Sequence, residues 1–304
     1  MLVLARGSAL RQLCSEGRSL TWLETEASGT NRIVSATPTD GEPRALVGGL
    51  PQVSIAVAGG GVFVASPELG VRRARDGRLE EIVGFPHASE IFLYGGRDLV
   101  AVVAVLSADE PNRYDVHRFD SSGRARLMCT VHDRRPLVAS GETGLWVASC
   151  HVTDRIPSHS VTPSGLDMSI EHQSWRWMLR LVEGAVDIEV TQPRVVAEAA
   201  DGVVVADNER IVRVEPSGAV AHLADASYVD GLVAWRDGAA WIEGGTVWCV
   251  DSPGAPPRES WRSDHVLREI VVAGDHLAVV EDPETDPLAS MFGSSDTPRS
   301  IIWL

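Results

Sequence analysis

The chain has 304 residues, 44% of them hydrophobic, with 42 acidic side chains against 27 basic ones and a formal net charge of −15. The apolar share excludes a disordered chain. The acid excess argues against a nucleic-acid or anionic-membrane partner, because clustered positive charge holds such partners. All the basic residues are arginine, which removes Schiff-base lysine chemistry and a Walker-type phosphate loop together; coding bias from a GC-rich genome and selection against tagging on lysine are the two explanations for the absence of lysine. No apolar run approaches the roughly 20 residues that span a bilayer. The start, Met1 to Gly7, lacks the basic opening and long apolar centre of a signal peptide, so a cytoplasmic chain is expected. Cys14, Cys129, Cys150 and Cys249 form no CxxC pair and read as buried thiols rather than as a zinc ribbon or a disulfide framework.

Along the chain, a short apolar run preceded by a Gly or Asp-Gly turn returns seven times. The runs are Ser19 to Glu24, Val62 to Ala65, Leu99 to Val103, Leu145 to Ser149, Val203 to Asp207, Ala240 to Glu243 and His276 to Val280. The turn glycines from Gly17 to Gly274 recur about every 43 residues, the period of a four-stranded propeller blade. The clearest unit predicts strands over Arg194–Glu198, Val203–Asp207, Arg210–Val214 and Ala219–Leu223, with Asp201-Gly202, Asp207-Asn208 and Pro216-Ser217-Gly218 supplying the tight turns. The same order recurs at Val71 to Val83 and at Tyr114 to Val131, and no long stretch carries a 3.6-residue apolar period.

The last unit runs out after three strands, ending at Ser300–Leu304, while Met1 to Arg6 is an apolar strand left over at the front. Pairing the two ends completes a blade and removes an exposed sheet edge. The expectation is therefore an all-β fold, one seven-bladed propeller of four-stranded antiparallel blades over residues 1–304, with six or eight blades as alternatives. Residues 150–192 hold more chain than a blade needs and read as an insertion in the fourth unit; 282–298 reads as a long acidic loop in the last.

The run Leu20-Thr21-Trp22-Leu23-Glu24, followed by Asn31-Arg32-Ile33-Val34, Asp40-Gly41 and Ile55 to Ala58, resembles the YWTD-like and NHL-like propeller repeats of bacteria. Val203 to Asp207 and Arg210 to Gly218 follow the same grammar, although the Tyr-Trp-Thr-Asp string itself is absent. The resemblance implies the fold and leaves activity open, since propellers host lactonases, lyases, receptors and scaffolds.

With this strand order, loops between second and third strands and loops between blades open on one face. Three of them are long, Leu106–Arg113, Cys150–Ser158 and Asp282–Pro298, and mark that face as the expected binding surface. His87, His132, His151 and His265 fall there with Asp133, Asp154, Asp264 and Asp282. Such a ring is a candidate site for Zn²⁺, Ca²⁺ or Mg²⁺, with His132, His265, Asp264 and Asp282 as ligands, or simply the polar residues that surface loops collect. Arg134-Arg135 with Arg113 and Arg155 reads as a patch for a carboxylate or phosphate, or as partners of Asp109, Glu110 and Asp133. Trp22, Trp146, Trp241 and Trp248 read as packing between blades, whereas Trp175 and Trp177 lie in the insertion and offer a ligand or partner edge. Leu288, Met291 and Phe292 follow an acidic, proline-rich run and suggest a lid or docking arm. No nucleophile elbow, HExxH, Walker loop or dinucleotide fingerprint occurs. The first functional reading is a non-catalytic platform for a protein partner or small ligand on the long-loop face. The alternative is a metal-dependent lactonase, hydrolase or lyase at the mouth of the central channel.

Overall fold

The computed structural model describes residues 2–7, 10–37, 42–106, 112–161, 167–282 and 299–304. Among them there are 28 strands and no helix. β1 (Leu2–Gly7) precedes the first complete blade, β2 (Leu10–Glu16), β3 (Ser19–Thr25), β4 (Asn31–Ala36) and β5 (Arg44–Leu50). The second blade is β6 (Ser54–Ala58), β7 (Gly61–Ser66), β8 (Gly70–Arg75) and β9 (Arg78–Val83), and the third β10 (Glu90–Tyr94), β11 (Val100–Val105), β12 (Arg113–Phe119) and β13 (Ala125–His132). The fourth is β14 (Leu137–Gly141), β15 (Gly144–Val161), β16 (Asp167–Leu181) and β17 (Asp187–Val190). The fifth is β18 (Val195–Ala199), β19 (Gly202–Ala206), β20 (Arg210–Val214) and β21 (Val220–Asp225), and the sixth β22 (Gly231–Trp235), β23 (Gly238–Glu243), β24 (Thr246–Val250) and β25 (Arg258–Arg262). The seventh, β26 (Val266–Ala273), β27 (His276–Asp282) and β28 (Arg299–Trp303), takes β1 as its fourth strand.

Each blade is an antiparallel meander in chain order, and the molecule is the seven-bladed propeller that the period predicts. The second strands are nearly continuous apolar runs because both of their faces are covered by neighbouring blades; every residue of β19 is buried. Outer strands such as β9 alternate toward solvent instead. Trp22, Trp146 and Trp241 occupy second strands at no more than 1% exposure and fill the space between blades. Each indole N–H finds an acceptor close in sequence: Glu24 at 3.0 Å, Thr143 at 3.0 Å and Glu243 at 3.4 Å. A buried Trp is thereby satisfied as well as packed.

The closure follows the expectation. β1 runs antiparallel to β28, with Leu2 opposite Trp303 and Gly7 opposite Arg299. Side chains on the inner strands tie the seam. Glu269 on β26 accepts the Gln12 and Leu13 amides at 2.8 and 2.5 Å, and Gln12 accepts the Ile55 amide at 2.7 Å. The seventh, first and second blades are linked this way by half-buried side chains that accept main-chain amides across the seams.

The fourth blade departs from the repeat, and it accounts for the surplus chain over 150–192. β14 pairs with β15 only as far as Ala148, and β17 pairs with β16 only as far as Trp177. β15 and β16 nevertheless continue together to the Val161–Asp167 pair. The segment Cys150–Ser158, expected as a loop, is therefore strand. Main-chain pairing with β16 gives alternate residues of the segment backbone partners that a loop would have to seek in water. The result is a two-stranded arm of about 40 Å at about 3.3 Å per residue, with no third strand along either edge among the described residues. A register shift between Val152 and Asp154 marks its root, where a bulge turns a strand away from its sheet.

Candidate functional site

The first strand of every blade lines the central channel, and its direction sorts the loops into two faces. Connections from second to third strands and from blade to blade open on one side; the tight turns from first to second strands ring the other. Asp133, Arg134, His87, Asp264 and His265 sit on the blade-to-blade connections, His132 at the end of β13, and His151, Trp175 and Trp177 at the root of the arm.

The structure does not draw them together as one ring. Among the described residues no group of three His, Cys, Asp or Glu side chains is placed to hold a metal ion. His132 ends β13 and His265 precedes β26, on separate blades, and both are exposed with His87 and Asp264. Asp282 is fully buried at the end of β27, where Arg268 and Arg299 reach its Oδ2 at 3.3 and 3.0 Å; it is a structural ion-pair anchor within the closing blade. Arg299 also donates to the Leu10 carbonyl at 3.1 Å, so that anchor fastens the seam to β2. Met291, Phe292 and the rest of 283–298 lie outside the described residues, as do 107–111. Of Asp154 the backbone pairing alone is described, opposite Ser174.

A smaller set does converge, at the root of the arm. Arg134 lies over the Trp175 ring at 4.2 Å, and Arg135 over Phe92 at 4.3 Å. Each is a cation–π contact that holds a guanidinium over an aromatic face. Asp133, at φ +71°, makes the turn that presents Arg134 toward the arm, and its amide donates to the Asn112 carbonyl at 2.9 Å. Arg113 is paired with Asp115 at 3.1 Å on its own strand, so it is not part of a free basic patch. His151 meets Ser149 at 3.2 Å. The thiols are not poised for nucleophilic work: burial, with Glu269 adding to it, pushes Cys14 up to about 12, and burial raises Cys129, Cys150 and Cys249 as well.

The large concavity lies on the opposite face. A cavity of about 740 Å³ opens among the first-to-second-strand turns, bordered by Glu16, Arg97, Glu142, Glu198 and Arg236, and a deeper lobe of about 280 Å³ continues past Ser140 and Tyr94. Glu198, on β18, is its central feature. Its side chain crosses Gly141 and reaches Gly96: a Cβ at 96 would lie 2.3 Å from Glu198 Oε2, and one at 141 would lie 3.2 Å from Glu198 Cβ. Gly96 has φ +140° and bridges Ala58 on one side and Ser140 on the other, so the inner strands of the second, third and fourth blades touch here. Close backbone approach and a carboxylate laid over it both need the missing side chain.

Desolvation by the channel wall pushes Glu198 up from its ordinary 4.5 to about 7; Glu142 and Asp98 add to the rise, and a hydrogen bond from the Arg97 amide opposes it. More than a third of the residue still meets solvent, because it faces a water-accessible channel with protein on every flank. Sequence reading passed over Glu198 as one residue of a blade strand. The available signal was a carboxylate set among Val195, Val196, Ala197 and Ala199 on an innermost strand.

Seven four-stranded blades around a lined channel define the class: a β-propeller. No protein-family model matches the chain, and no curated protein does. Solved structures do resemble it. Sqt1 of Saccharomyces cerevisiae aligns at TM-score 0.55 with 10% identity, over 92% of this chain and 81% of that one. The β-propeller domain of the Trilobed protease of Pyrococcus furiosus, described as having an open velcro topology, aligns at 0.54 with 11% identity, over 97% and 94%. The acylaminoacyl peptidase of Pyrococcus horikoshii aligns at 0.54 with 10% identity, over 90% of this chain and 49% of the peptidase. At these identities the likeness is one of fold.

Proposed function

We propose that this protein is a non-catalytic platform that binds a protein partner through its long-loop face, gripping it with the β15–β16 arm. The observation that carries the reading is the arm itself. Among the described residues two strands run together well past the last residue that a third strand pairs, and both edges present main-chain N–H and C=O groups. A free edge of this length is a liability for a chain with no use for it, and a partner strand added to it would gain main-chain hydrogen bonds along its whole length. The root supplies the anchor: Trp175 under Arg134, with His132 and His151 nearby in the chain and exposed, the aromatic and guanidinium chemistry that dominates binding energy at interfaces. In this reading the repeat is of the YWTD-like or NHL-like kind and the protein works in the cytoplasm, consistent with four free thiols.

The test is to replace residues 154–173 by Asn-Gly and compare the two proteins by cross-linking and co-purification from the cells that make them. The expected outcome is a partner held by the native protein and lost from the shortened one. A partner retained equally by both overturns the reading.

A further inference from the structure

The cavity on the turn face carries a charge arrangement that the platform reading does not use. Its border holds two guanidinium groups, and both are occupied: Arg97 Nη1 lies 3.1 Å from Glu142 Oε2, and Arg236 Nη1 lies 2.9 Å from Asp251 Oδ1. Glu16 takes the Gly60 amide at 2.6 Å. Glu198 is left with the Arg97 amide, which it shares with the Ser140 carbonyl, and among the described residues no cation pairs with it. Beside it Ser140 is 1% exposed, lines the deeper lobe, and its hydroxyl has no hydrogen-bond partner. The wall between these polar points is aliphatic, formed by Val57, Ala197, Ala199, Val233 and Val271. Both the volume and the mix of apolar wall with few polar groups suit a small molecule.

We infer that the channel mouth is a binding site for a small organic cation, a primary alkylammonium whose charged head lies against the Glu198 carboxylate while its chain follows the aliphatic wall. An anion is disfavoured because both border cations already have carboxylate partners and a third carboxylate faces the space. The site is on the face away from the arm, and it stands whether or not the platform reading does.

The groups facing Glu198 set the pH response. Arg97 and Asp98 approach from the β10–β11 turn, Glu142 from the β14–β15 turn, and Glu16 and Arg236 border the same cavity. An ammonium ion binds the ionised carboxylate, so binding strengthens as Glu198 loses its proton, and the carboxyl sits near 7 in the free protein. For such a group the ionised fraction rises about tenfold from pH 6 to pH 8, while an alkylamine stays protonated at both.

The test is calorimetric titration of the whole chain with n-hexylamine hydrochloride and, separately, with 1-hexanol. One site per chain is expected, about tenfold tighter at pH 8 than at pH 6, with hexanol at least tenfold weaker. Glu198→Gln should lose at least tenfold in affinity at pH 8 while keeping the native circular dichroism and melting temperature. Equal affinity for amine and alcohol, no saturable amine binding, or an unaffected Glu198→Gln overturns the proposal. The pH comparison needs no variant: equal affinity of the native chain at pH 6 and pH 8 overturns it too, even where Glu198→Gln fails to fold.

Discussion

A methyl group at position 96 has nowhere to go. The Cβ would stand 2.2 Å from the Ser140 carbonyl oxygen and 2.3 Å from Glu198 Oε2, on a backbone at φ +140°. Gly60, at φ +73° in the turn before β7, has no atom within 4 Å of the same point. Gly60→Ala should therefore cost only the left-handed backbone strain, about 1 kcal/mol, whereas Gly96→Ala adds a clash with main chain and should cost about 3 kcal/mol. Denaturant midpoints of the two variants measure the difference, and equal losses would mean that Glu198 is not laid over Gly96. Glu198 itself makes stability depend on pH. Its folded carboxyl holds a proton up to about 7 against an ordinary 4.5, so between those values the folded chain binds more protons than the unfolded one. Its contribution is fully present below the lower value and is lost as pH rises through the higher. Chemical denaturation from pH 4.5 to pH 8 should show a shallow decline that Glu198→Gln flattens; a slope unchanged by that substitution refutes the assignment.

The arm is an element that the rest of the molecule does not need. Past Ala148 and Trp177 its strands pair only with each other among the described residues, so removing residues 154–173 breaks no pairing with another described strand. The shortened protein should melt within about 2 °C of the native one, since changes away from the packed core usually fall within ±0.5 kcal/mol. A loss of more than about 5 °C would show that the arm packs against the propeller. In the sequence the same stretch was legible only as surplus. Pro157, together with the Ser and Thr of Thr153, Ser158 and Ser160, masks strand alternation and invites a loop reading. Pairing across an arm joins residues far apart in the chain through backbone groups, which carry no residue-type signature. The innermost strand β18 was legible as a strand, yet the role of Glu198 was not. Its neighbours Gly96, Gly141 and Asp98 come from other blades.

At the scale of the whole molecule, the ring closes through one strand. β1 covers the edge of β28, and Asp282 with Arg299 ties that blade to β2. Deleting residues 1–7 should leave a three-stranded last blade with β28 as a bare edge, lower the melting temperature, and produce concentration-dependent association visible by light scattering. A monomer of native stability would refute closure by β1. The sequence by itself determined the propeller class, the order of strands within each unit and the partner of the N-terminal strand; it favoured seven blades over six or eight, and the structure has seven. A repeat of about 43 residues with glycine-marked turns and paired apolar runs leaves few ways to bury every sheet face. It also determined which loops share a face, because strand direction alternates through each blade. Only the tertiary structure decided that the histidines and aspartates of that face stay apart, that Asp282 is a buried anchor, and that a large cavity opens on the other side around Glu198. Those outcomes depend on distances between residues of different blades, which burial, ring closure and close glycine contacts set together and which no local pattern of residues encodes.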